Sequence, residues 1–186
     1  MRTVLHELLS CLSAWLAPVL CFTAEEAWQH RPRPDGERSD DEASVHLRLF
    51  PPTPTGWCDE ALAERWAVLR DLRRVVTGAL ELERAAKRIG ASLQAHPTIY
   101  APAAWATAVH GVDLAELAIT SAATLKLEPP PAGAFTLPDV PEVGVAVALA
   151  EGEKCERCWR VLPEVGQHGV EGLCGRCADA VGGAVG

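Results

Sequence analysis

Positive charge is scarce in this sequence: 17 lysines and arginines stand against 25 acidic residues, for a formal net charge of −8. That balance excludes a surface coated in positive charge for non-specific nucleic-acid binding. It leaves room for a local basic face, because the field near a patch depends on the patch's own charges. Long apolar runs are also missing. The uncharged stretch from Leu8 to Ala24 follows Glu7 and is interrupted by Ser10, Ser13, Pro18 and Thr23, which speaks against a bilayer span. Its helical spacing speaks against a secretory leader. No internal repeat is present, and no phosphate-cradling motif suggests a nucleotide site. The chain is therefore expected to be soluble and cytoplasmic, with no membrane partner.

What is present is enough for a real core. Apolar residues make up 48% of the 186 positions, which suits one ordinary domain with a small appendix and not a disordered tail. Val4, Leu5, Leu8, Leu12, Trp15, Leu16 and Val19 recur at helical spacing, and Pro18 ends or bends that helix. Thr23 and Glu26 offer a capping box for a second helix through Trp28, which would explain the Glu25–Glu26 pair without any chemistry. Trp15, Trp28 and Trp66 fall on apolar faces and are expected in the core. Arg31 to Glu42 reads as an exposed loop, and Ser44 to Phe50 as an extended segment.

Asp59 suits the cap of the clearest helix, with Leu62, Trp66, Leu69, Leu72, Val76 and Leu80 as its apolar stripe and Gly90 as its left-handed stop. Thr98 to Tyr100 and Ala118 to Leu127 read as strands, with helical stretches at Ala103 to Val109 and Leu114 to Leu117. Pro129 to Pro131 reads as a stiff linker, and Val143 to Leu149 as a strand. The fold class expected is α+β, mainly α, with a small cysteine-rich module at the C-terminal end.

Seven cysteines include two C-x-x-C pairs, Cys155–Cys158 and Cys174–Cys177, separated by fifteen residues; Cys11, Cys21 and Cys58 are scattered. Two such turns present four thiolates, enough to close a tetrahedron around one structural Zn²⁺ with no open position. A stretch of thirty-odd residues buries little core, so the metal would supply much of its folding free energy. Disulfides or a redox pair are the competing reading, but a redox C-x-x-C needs only one pair beside a strand–helix unit not evident here. His168 lies between the pairs and reads as a loop histidine.

Between Arg65 and Arg88 seven basic residues outnumber three acidic ones, a local excess of +4. Arg70, Arg73, Arg74, Arg84 and Arg88 have the forked donors that grip phosphates or unstacked base edges; Lys87 adds a point charge. The same residues read equally as a solvated face with pairs such as Glu81–Arg84. Trp159, flanked by Arg157 and Arg160, either stacks on a base or covers the metal knuckle.

Several of these segments resemble one family. Leu16-Ala-Pro-Val-Leu-Cys-Phe-Thr-Ala-Glu-Glu-Ala-Trp-Gln29, Ser44-Val-His-Leu with Pro51, and Leu80-Glu-Leu-Glu-Arg-Ala-Ala-Lys-Arg-Ile-Gly-Ala-Ser-Leu-Gln-Ala95 are similar to the start, the middle and the long-helix exit of the anticodon-binding domain of bacterial isoleucyl-tRNA synthetases. Gly152-Glu-Lys-Cys-Glu-Arg-Cys-Trp-Arg160 and Leu173-Cys-Gly-Arg-Cys177 resemble that family's C-terminal zinc motif. Cys21 stands where valyl and leucyl relatives carry proline. The likeness covers nearly the whole chain, most loosely from Pro102 to Ala150.

The resemblance implies a helical anticodon-binding bundle over 1–100, a mixed α/β junction with the proline-rich linker over 101–150, and a zinc module over 151–186. It implies isoleucine tRNA as partner, gripped through Arg70, Arg73, Arg74, Arg84, Lys87, Arg88, Trp159 and Arg160, with the catalytic part of the synthetase as a second partner. The H-I-G-H and K-M-S-K-S signatures and an editing domain do not occur, so the chain is expected to charge no tRNA by itself; ATP belongs to the catalytic domain. A stand-alone zinc-bearing interaction fragment is the alternative. DNA-repair glycosylases share the cysteine spacing but begin with proline and glutamate, where this sequence has Met1-Arg2-Thr3, so DNA is not expected as a partner.

Overall fold

The computed structural model describes residues 2–31 and 43–182. The chain divides into two compact units, Met1–Cys58 and Asp59–Gly186. In the first, helix α1 (Arg2–Leu16) is followed by α2 (Cys21–Gln29) and short 3-10 turns at Val45–Leu47 and Thr55–Trp57. Ala17, Ala24, Trp28 and Val45 form its buried cluster. Trp28 is held between cations, with the Arg31 and Arg48 guanidinium carbons 3.5 and 4.0 Å from its ring centroid, a favourable electrostatic contact with the ring face.

Thr23 does not cap α2. It lies inside the helix, whose N-cap is Leu20 without a side-chain bond. Glu25 instead reaches across to the later turn, accepting from Ser44 Oγ and the Val45 amide, both at 2.8 Å, and from Gln29 Nε2 at 2.6 Å. This carboxylate explains why Ser44–Leu47 curls into a 3-10 turn where the alternation suggests an extended segment. The stripe on α1 is largely exposed, Trp15 included at 39%, so it is not the core face that its spacing suggests.

The second unit begins with the long helix α3 (Glu60–Ala85). Asp59 caps it as expected, its Oδ1 accepting from the Leu62 amide at 2.9 Å. The buried face is Leu69, Leu72, Val75, Val76, Ala79 and Leu80; Leu62 and Trp66, at the near end, remain exposed. The helix stops earlier than Gly90 and by another residue. Lys87 takes the left-handed conformation at φ 57°, with its amide bonded to the Arg84 carbonyl and the Arg88 amide to that of Glu83. These are the two bonds of a Schellman C-terminus.

A four-stranded sheet in the order β2-β1-β4-β3 lies against α3. Its strands are β1 (Ala95–Tyr100), β2 (Thr124–Lys126), β3 (Phe135–Leu137) and β4 (Val140–Leu149). β1 runs parallel to β2 and antiparallel to β4, with Ile99 opposite Val145. Gly78, costly in mid-helix by about 1 kcal/mol relative to alanine, is explained here: a Cβ at that position would come within 2.7 Å of the Phe135 ring. Pro130 approaches Gly144 of β4 so closely that a Cβ there would meet it at 2.3 Å. The proline run, which joins β2 to β3 in sequence, therefore packs on β4.

The short helices α4 (Ala106–Val109) and α5 (Leu114–Ala118) fill the crossover from β1 to β2. Only three residues of the stretch from Ala118 to Leu127 become strand, because α5 occupies its first position and Ile119 turns left-handed at φ 56°. That turn leads into buried Thr120 and Ser121. A hairpin of β5 (Glu153–Lys154) and β6 (Val161–Leu162), then α6 (Gly175–Gly182), complete an α+β architecture. Among the described residues no helix is long and apolar enough to cross a membrane.

Candidate metal centre and basic helix face

The hairpin and the start of α6 bring the four paired cysteines together. The Sγ atoms of Cys155, Cys158, Cys174 and Cys177 all lie within 4.8 Å of one another. Cys158 and Cys174 are separated by 3.7 Å, against about 2 Å for a disulfide. Tetrahedral Zn²⁺ with Zn–S bonds of about 2.3 Å spaces its sulfurs by roughly 3.8 Å, so the cluster fits the ion. Gly152 closes the hairpin at φ 110°, where a Cβ would strike the Leu162 backbone at 2.3 Å. His168 packs over Gly175 and is not one of the clustered ligands.

Two of the four thiols are shifted in opposite directions. Burial pushes the Cys155 thiol up, but backbone amides of Cys158, Cys174 and Arg157 outweigh it and bring it down to about 6. Burial pushes Cys174 up to about 12. A divalent ion held by the cluster would favour the thiolate form of all four sulfurs. The chain carries one structural zinc of this kind, with no coordination position left for catalysis.

The module is fastened to the rest of its unit by a residue that the sequence reading passed over. Ser121, 1% exposed, donates from Oγ to the Leu93 carbonyl at 2.5 Å and accepts the Val161 amide at 2.7 Å. Its carbonyl accepts from Arg160 Nη2 at 2.6 Å. Nothing local marks Ser121, because its partners lie 28 and 40 positions away. Arg160 is thus engaged by protein, and its Nε is buried without a partner among the described residues. Trp159, left-handed at φ 65°, is 61% exposed, and Lys154 Nζ stands 5.4 Å from its ring centroid.

Helical periodicity puts Arg70, Arg73, Arg74, Glu81 and Arg84 on one flank of α3, beside the buried face. Their engagement differs. Arg73 Nε donates to the Leu117 carbonyl at 3.0 Å. Arg74 pairs with Asp71 and Asp139; its hydrogen bond to Asp139 raises the guanidinium pKa and lowers that of the carboxylate. Arg84 pairs with Glu81, and beyond the helix end Arg88 pairs with Glu83. Arg70 and Lys87 are exposed and make no ion pair among the described residues. Arg65, counted only toward local charge, ties α3 to the Ala108 and His110 carbonyls.

Comparison with known proteins follows the same division. A family model described as the anticodon-binding domain of tRNA ligase matches residues 1–99. A second, described as a zinc finger found in FPG and IleRS, matches residues 152–180. An isoleucine–tRNA ligase of Rhodopseudomonas palustris is 49% identical over 168 residues, covering 88% of this chain and 16% of the relative. One of Ruegeria pomeroyi is 46% identical over 182 residues, covering 97% and 18%. One of Mesorhizobium japonicum is 49% identical over 168 residues, covering 88% and 16%. The chain spans less than a fifth of the length of these relatives.

Proposed function

We propose, from the premise that this chain belongs to the anticodon-binding domain family of tRNA ligases, that it grips the anticodon stem-loop of an isoleucine tRNA. The observation that carries this reading is the exposed cationic side of α3 in a chain whose net charge is −8. Arg70 and Lys87 are the cations most available to phosphates, since neither has an ion-pair partner among the described residues. Arg73, Arg74, Arg84 and Arg88 are held in place by their carbonyl and carboxylate partners. An anionic RNA can share or displace these exposed contacts, which are weak at a solvated surface. Trp159 offers an exposed ring for an unstacked base, with Lys154 beside it.

In this account the three segments 1–100, 101–150 and 151–186 divide the work. The first grips the stem-loop, the second sets spacing, and the zinc module presents Trp159 while Arg160 holds the module against Ser121. The relatives' size and name support a catalytic portion elsewhere, which would activate isoleucine and use ATP. The cytoplasm, with its reducing conditions, suits seven unbridged cysteines.

The test is fluorescence anisotropy of the zinc-loaded chain with a labelled anticodon stem-loop hairpin from isoleucine tRNA. Tighter binding than to the same hairpin with a foreign anticodon supports the reading. Equal binding to both hairpins, or none to either, rejects it.

A further inference from the structure

We propose that Arg157 and Arg176 are reciprocal charge braces on the zinc site, each reaching from its own cysteine pair to a sulfur of the other and slowing loss of the metal. The need arises from charge. Four thiolates around one Zn²⁺ leave a formal charge of about −2 in a largely buried cluster, and such charge requires nearby donors or counterions. Both pairs carry an arginine immediately before their last cysteine, Cys155-Glu-Arg-Cys158 and Cys174-Gly-Arg-Cys177.

The two arginines cross over. Arg157 Nη1 lies 3.7 Å from Cys177 Sγ, within donor range of sulfur. Arg176 shares the wall of a cavity of about 260 Å³ with Cys158. Its far side is anchored on α5, 3.5 Å from Glu116 Oε1. Cys158 is the one sulfur of the four that is not fully buried. A chelator or an oxidant therefore reaches the metal most readily on the side that Arg176 occupies. Guanidinium is suited to the task because its planar fork stays charged and can donate to sulfur and carboxylate together.

The experiment needs no RNA, so its outcome is independent of the tRNA reading. Wild-type chain, Arg157→Ala, Arg176→Ala, the double variant and the two lysine variants are loaded with zinc, checked for one metal per chain, and challenged with excess EDTA. Zinc loss is followed with a chromogenic indicator. Each alanine variant is expected to lose zinc roughly tenfold faster, in line with the 10–100-fold weight of outer-shell partners in metal affinity. Arg176→Ala should be the faster, because it uncovers Cys158; lysine variants should fall between alanine and wild type. Arg70→Ala, remote in sequence, should match wild type. An alanine variant that purifies without metal is titrated with zinc against a competing chelator, where a tenfold weaker affinity supports the brace and an unchanged one refutes it. Rates within twofold of wild type in both alanine variants overturn the proposal, and a change in only one overturns the reciprocity.

Discussion

The buried Ser121 hydroxyl accepts the Val161 amide at 2.7 Å and so couples the zinc hairpin to the segment that follows α3. The same hydroxyl donates to the Leu93 carbonyl. Ser121→Ala removes the partner of two part-buried backbone groups. Unsatisfied buried groups cost about 1–3 kcal/mol each, so with both only part-buried the variant should be less stable by about 2–3 kcal/mol. Chemical denaturation checks the loss, and elemental analysis should still find one zinc per chain. A variant as stable as wild type would show that water replaces the hydroxyl without cost.

Cys174→Ser removes a buried ligand and should abolish stoichiometric zinc binding, because three sulfurs no longer close the tetrahedron. The damage should extend beyond the hairpin to 91–93 and 119–121, since Ser121 and Arg160 join these stretches. The α3 core, built from Leu69 to Leu80 against the sheet, should persist. Hydrogen exchange resolves the two. Unchanged protection of Ser121 after metal loss would contradict this coupling.

Lys87 separates conformation from charge. Its left-handed backbone is one that glycine adopts without a steric penalty. Lys87→Gly should stabilise the fold by roughly 0.5–1 kcal/mol through relief of that penalty, while weakening tRNA binding by the loss of one cation. Thermal melting and binding isotherms on the same preparation read both signs. A stabilised variant with unchanged affinity would remove Lys87 from the RNA surface.

Glu25 gives a pH dependence. The Gln29 hydrogen bond, then those from Val45 and Ser44, holds its carboxyl below the ordinary value of 4.5. A depressed folded pKa contributes stability above the unfolded value, and that contribution is lost as pH falls through the folded one. The thermal midpoint of wild type should therefore decline below about pH 4.5 more steeply than that of Glu25→Gln. Parallel acid limbs in the two proteins would show that the carboxylate does not hold the Ser44–Leu47 turn.

The parts of this molecule that were legible in sequence are those set by short spacing. Asp59 announces its helix because a cap needs only the next three residues, and the four cysteines announce their cluster because each pair is one turn. Thr23 and Gly90 misled for a common reason: each suits a role locally, but α2 begins before Thr23, at Cys21, and Lys87 ends α3 first. Trp15 and Trp66 lie on apolar stripes yet remain exposed, because periodicity reports a face and not what covers it. The Ser121 fastening depends on partners too distant in sequence for any local pattern. The paired arginines beside the cysteines did leave a signal, the same residue at the same place in both turns.

The central claim, that this chain grips an isoleucine tRNA through the exposed side of α3, is tested most directly by filter binding across a salt series. Zinc-loaded wild type and Arg70→Ala are compared on isoleucine tRNA and on an unrelated tRNA. Each phosphate contact contributes about −0.7 to −0.9 to the slope of log K against log salt. The account predicts preference for isoleucine tRNA, affinity that falls with salt, and a weaker and shallower dependence for Arg70→Ala. Wild type and Arg70→Ala binding the two tRNAs alike, with one common slope, would contradict it.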